Sequence, residues 1–150
     1  MKKKLKKLLK NQKGLTLVEL LAVVVILGII AAIAVPSIAN IIDNSKKDAH
    51  VANAEQLVGA ARLAVAANDT AITGDNSLTM EELVKNGYLE SDIEDPDKAG
   101  NPYSEATVTL TINSTTKNTN YKVYLKGDKR GIGTSGSPLE ISKVTRASVK

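Results

Sequence analysis

The chain has 150 residues, one domain's worth, with no cysteine and a single histidine, His50; disulfide scaffolds, thiol nucleophiles, Cys-based metal centres and His-rich metal sites are thereby excluded. Hydrophobic residues make up 43%, but there is no Phe or Trp and only four Tyr, so the core must be aliphatic. The formal charge of +4 belongs to the N-terminus: residues 1–14 hold seven Lys and no acid, leaving 13 basic against 16 acidic residues, net −3, in the remainder, which offers phosphates no general landing surface.

In chain order, residues 1–14 form a basic leader, and 15–35 form an apolar run in which only Thr16 and Glu19 are polar. As a helix that run spans about 30 Å, enough to cross a bilayer. The lysines ahead of it place the N-terminus in the cytoplasm and the rest of the chain outside. From 37 to 67 the pattern is amphipathic, with Ile38, Ile41, Ala49, Leu57, Ala61 and Ala64 near helical spacing. Residues 15–36 and 37–67 therefore read as two halves of one helix, with a kink expected at Pro36, which lacks an N–H and crowds the preceding turn. At about 80 Å that helix is too long for a compact domain of this size, so one half must find partners elsewhere.

The remainder, 68–150, reads as a globular head. After a polar loop at 68–77, Thr79 and Glu82 form a capping box that opens a short helix over 79–86, stopped by Gly87. An acidic turn region follows at 90–102. Period-two alternation then predicts an antiparallel hairpin of strands 106–112 and 121–126, and a third strand at 139–144 after a Gly/Ser-rich stretch. The fold class is α+β, a long N-terminal helix packed on a small antiparallel sheet.

Glu19 is the most informative residue. A carboxylate inside an apolar helix costs about 2.5–3.5 kcal/mol on membrane insertion, and no Lys or Arg lies within 15–36. A cut after Gly14 would supply a partner, because the new α-amine of Leu15 carries positive charge at neutral pH four residues from Glu19, or beside Glu19 of a neighbouring copy. An ordinary secretory signal shares the charged leader and small residues such as Ala32 and Ala34. The length of the apolar run, Glu19 within it and the amphipathic helix beyond it weigh against that reading.

The stretch Lys13-Gly14-Leu15-Thr16-Leu17-Val18-Glu19-Leu20-Leu21 resembles the leader and cleavage motif of the type IV pilin and pseudopilin family. The resemblance covers residues 1 to about 40, and beyond them only the architecture is similar. It implies cleavage by a prepilin peptidase between Gly14 and Leu15, N-methylation of Leu15, which stands where the family usually has Phe, and a subunit-register role for Glu19. Gly28 and Pro36 fall at the family's helix-breaking positions, which implies that 28–36 is helical in the bilayer and melts at least partly in the filament. The lack of cysteine resembles Gram-positive members. The implied partners are copies of the chain itself, the peptidase, the inner-membrane assembly platform with its assembly ATPase, and the membrane before assembly, with a cell-surface filament as the final location. Major pilin, pseudopilin of a secretion or DNA-uptake competence machine, and minor tip subunit stay open, as does a permanently anchored binding domain that needs neither cleavage nor Glu19.

No catalytic residue, cofactor or metal ligand is assigned. Glu90, Asp92, Glu94, Asp95 and Asp97 could offer oxygens to calcium, but their spacing fits no EF-hand and a solvated acidic turn is favoured. His50 is expected to be an ordinary surface or interface histidine. Asn68 and Asn113 begin glycosylation sequons and are left unassigned. Lys117, Lys122, Lys126, Lys129 and Arg130 form a local positive patch with Tyr121 and Tyr124, for which solvated strand charge is favoured over DNA binding.

Overall fold

A computed structural model describes residues 16–67, 76–112 and 118–150. The leader, Gly14, Leu15, both sequons and Lys117 lie outside the described residues. The chain divides into two units, Met1–Ile42 and Asp43–Lys150.

Helix α1 covers Leu17–Ala66 and continues through Gly28 and Pro36 as α-helix. Within the first unit it presents an apolar surface on all sides: every Leu, Ile and Val from Leu17 to Ile42 is more than half exposed. The run Val23-Val24-Val25-Ile26 is β-branched and a poor helix former in water. In a bilayer the backbone must satisfy its own polar groups, and helix becomes the favoured state there. Among the described residues α1 is the one helix long and apolar enough to cross a membrane, and none of its most apolar window is buried.

The second unit has its own core. From α1 it buries His50, Ala54, Leu57, Val58, Ala60, Ala61 and Ala64, a stripe of three- and four-residue steps that faces the sheet. The sheet comprises β1 (Ser77–Thr79), β2 (Glu105–Ile112), β3 (Thr119–Lys126), β4 (Gly131–Ile132) and β5 (Leu139–Glu140). It is antiparallel with the order β1-β2-β3-β4, and β5 joins the same edge of β3. Register aligns Leu78, Val108, Val123 and Leu139 across four strands, with Ala106, Leu125 and Ile132 as the next row. Alternate residues of β2 and β3 thus bury one face, as period-two patterning requires.

Helix α2 (Met80–Lys85) is closed at its N-terminus by the expected box: Thr79 N–H donates to Glu82 Oε2 at 2.8 Å, and Glu82 N–H donates to Thr79 Oγ1 at 3.2 Å. Gly87 ends it at φ +79°. Leu78 pairs with Val108 as strand just ahead of it. At the C-terminus the sequence expectation is corrected in two places. Strand β5 stops at Glu140, and 3-10 turns follow at Ile141–Lys143 and Arg146–Ser148. Within the Gly/Ser-rich stretch lies β4, where Gly131 is required by proximity: a Cβ there would sit 2.2 Å from the Leu125 carbonyl oxygen. Asp48 of α1 holds the last turn through a bidentate pair with Arg146, at 2.6 Å to Nε and 2.5 Å to NH2. That hydrogen bonding lowers the Asp48 carboxyl pKa.

Candidate functional site

Helix α1 opens on a second capping box. The backbone N–H and the hydroxyl of Thr16 each donate to Glu19 Oε2 at 2.8 Å, while Thr16 Oγ1 accepts from Glu19 N–H at 3.2 Å. The carboxylate folds back onto a helix N-terminus, where the macrodipole favours negative charge. Its nearest partners are thus within its own turn, a solution that charge counting alone overlooks. Oε1 has no hydrogen bond among the described residues and is available to a positive group from elsewhere. Thr16 is the partner of Glu19 that sequence reasoning passes over. The signal that finds it, Thr followed three residues on by Glu, is the one that locates α2.

The acidic turn is not solvated throughout. Glu90 and Asp92 are exposed, but Asp95 is buried and the Asp97 side chain is only 1% exposed. Nor is His50 a surface residue, since it is 0% exposed. The three meet beneath the turn: His50 Nε2 lies 3.3 Å from Asp97 Oδ2 and 3.8 Å from Asp95 Oδ1, and His50 Nδ1 lies 2.7 Å from the Tyr103 hydroxyl. Asn53 Nδ2 donates to that hydroxyl at 3.2 Å and to the Glu94 carbonyl at 3.0 Å. Asp95 accepts backbone N–H bonds from Asp97 at 2.9 Å and from Asp128 at 2.6 Å, one on each oxygen. Gly127 permits this approach, because a Cβ there would stand 2.7 Å from Asp95 Oδ2. Burial pushes the Tyr103 hydroxyl up to about 12, so it keeps its proton. Burial acts to raise the Asp97 carboxyl too, but hydrogen bonding to His50 and the charge of Arg130 outweigh it and leave the pKa low. The members come from residues 43–53, 93–103 and 127–130, far apart in sequence, so no spacing motif announces them.

With that geometry in view, the family described as the prokaryotic N-terminal methylation motif matches residues 9–35. The chain carries the signal motif of type IV pilins and pseudopilins. No curated protein and no solved structure matches it. That motif supports a pilin-like or pseudopilin-like precursor in general, and the matched span takes in Gly14, Leu15, Glu19 and Gly28 and ends one residue before Pro36. The motif implies processing by a prepilin peptidase and assembly into a filament, and the apolar part of α1 fits membrane anchoring before it. Gly28 has open space around it, with nothing within 4 Å of an added Cβ.

The positive patch of this pilin-like head is engaged by its own acids. Lys126 pairs with Glu105 at 2.6 Å, Arg130 pairs with Asp43, and Lys122 stands opposite Glu140 in the register. Tyr121 lies under the Arg62 guanidinium, 5.2 Å from ring centroid to Cζ. Among the described residues of the patch, few free cations remain for a phosphate backbone.

Proposed function

We propose that the chain is the structural subunit of a type IV pilus-like extracellular filament, with no enzymatic activity of its own. A prepilin peptidase cuts between Gly14 and Leu15 and methylates the new amine, and the mature chain polymerises through 15–36 with Glu19 setting the register. The observation that carries this reading is the exposed apolar half of α1 with one carboxylate at its start. Such a surface leaves the bilayer only if other copies cover it, so extraction and polymerisation are coupled. The Leu15 amine and Glu19 then neutralise each other at the interface.

Intact mass and N-terminal sequencing of material sheared from whole cells test it. The expected chain begins at Leu15, carries about 14 Da for one methyl group on that amine, and sediments as fibres. A processed chain that stays in the envelope and yields no sheared fibre would assign it to a pseudopilus. A chain that begins at Met1 and remains in the membrane would return it to an anchored binding domain.

A further inference from the structure

The cluster around His50 gathers two buried carboxylates with no Lys or Arg at its centre. Asp95 and Asp97 are 2% and 1% exposed, and a buried carboxylate needs a compensating charge at close range. The cations next to Asp97, Lys46 and Arg130, are at the rim, 37% and 21% exposed. They reach it only at 3.4 Å and 3.6 Å, and Arg130 is also committed to Asp43. Lys46 makes an ion pair of poor hydrogen-bond geometry, and Asp97 Oδ1 is left as a buried oxygen without a hydrogen-bond donor. At the centre, one atom each from His50, Asp95 and Asp97 lies within 4.8 Å of the others.

We propose that His50, Asp95 and Asp97 bind a divalent transition ion of the zinc class. Donors bonded to such an ion at about 2.0–2.2 Å in a tetrahedron stand roughly 3.3–3.6 Å apart; the two separations from His50 Nε2 are 3.3 Å and 3.8 Å and all three donor atoms lie within 4.8 Å of one another, so the site needs the carboxylates to close on the ion by at most roughly 1.5 Å. The donor set is one imidazole and two carboxylates, which suits zinc or manganese and does not suit calcium, a cation that takes oxygen ligands. The surroundings are those of a ligand shell. Tyr103 holds Nδ1 and so fixes the ring with Nε2 turned to the carboxylates, and two backbone N–H groups hold Asp95. One 2+ ion balances the two carboxylates and leaves Lys46 to solvent. It would join α1 to the 93–103 turn and so staple a head that has no cysteine.

The test uses the full chain in detergent micelles, stripped with a chelator and titrated with Zn2+. One ion per chain is expected, with a rise in melting temperature of at least about 5 °C at saturation. Asp97→Asn keeps the side chain's shape and should weaken binding more than tenfold, as should His50→Gln. Binding of Co2+ at the same stoichiometry, displaced by Zn2+, gives a visible-band readout on the unmodified chain. No shift in melting temperature with Zn2+ overturns the proposal and leaves His50 as a hydrogen-bonding partner only. A shift produced by Ca2+ and not Zn2+, or Zn2+ binding that survives Asp97→Asn, overturns the donor assignment. If a variant fails to fold, the titration of the unmodified chain decides alone. None of these results depends on filament assembly.

Discussion

Glu19 has a local role and, in the proposed filament, a second one, and a single substitution set can separate them. One is local: its carboxylate closes the first turn of α1 through Thr16, a capping box in which Gln serves nearly as well as Glu. The proposed one is between subunits and would require a negative charge. Glu19→Gln should therefore keep α1 and its membrane insertion yet cut fibre yield more than tenfold, because removing one partner of a buried ion pair costs about 3–5 kcal/mol. Glu19→Ala should lose the same assembly and about 1 kcal/mol of helix capping besides. Sheared-fibre yield and membrane-fraction blots read the two effects independently; normal fibres from Glu19→Gln would leave the residue as a cap alone. At this scale the sequence is informative where partners are three or four residues apart. Thr79 with Glu82 is legible and Thr16 with Glu19 equally so, whereas His50, Asp97 and Tyr103 meet only through the fold, 47 and 53 residues apart.

Among the elements, glycine has different meanings at different places. Gly131 sits against the Leu125 carbonyl, and Gly136 has open space. Gly131→Ala should destabilise the head by about 3 kcal/mol, since the strand must move to admit a methyl group, while Gly136→Ala should be within about 0.5 kcal/mol of neutral; thermal melts of the two variants give the comparison, and equal melting temperatures would mean that β4 is not paired as described. This contrast also explains why β4 escapes a sequence reading. Its glycine serves close pairing but looks like loop punctuation, and a two-residue strand has no period to detect. Strands β2 and β3, eight residues each, show their alternation plainly. In α1 the open space around Gly28 and the ring of Pro36 bear on the expected melting of 28–36 in the filament. Gly costs about 1 kcal/mol and Pro about 3 kcal/mol relative to Ala in a helix interior. Amides in that segment should exchange rapidly in assembled wild-type fibres and become protected in a Gly28→Ala/Pro36→Ala variant. Protection already present in the wild-type filament would mean that the helix of the single chain survives assembly.

For the whole molecule, charge and apolar surface are divided along the chain in a way that makes one cut decisive. The leader concentrates seven Lys ahead of a helix long and apolar enough to cross a membrane, and beside an anionic cytoplasmic leaflet each would contribute about 1 kcal/mol of attraction. In the proposed pathway, while the leader is attached both its charge and the apolar half would hold the chain at the membrane. Once residues 1–14 are gone, 13 basic and 16 acidic side chains remain, and only the apolar surface opposes extraction, a surface that neighbouring copies can cover. The isoelectric point should move accordingly, from about 9.2 for the precursor to the acidic side of neutrality for the mature chain, because a net charge of −3 at pH 7 must be titrated away by lowering the pH. Methylation of the Leu15 amine keeps its charge and leaves this shift unchanged, so focusing reads the cut while mass reads the methyl group. Isoelectric focusing of the sheared fraction beside the membrane fraction should show an acidic band in the first and a basic band in the second. A single basic band in both would mean that the leader stays on the assembled chain, and the charge then could not be what releases it.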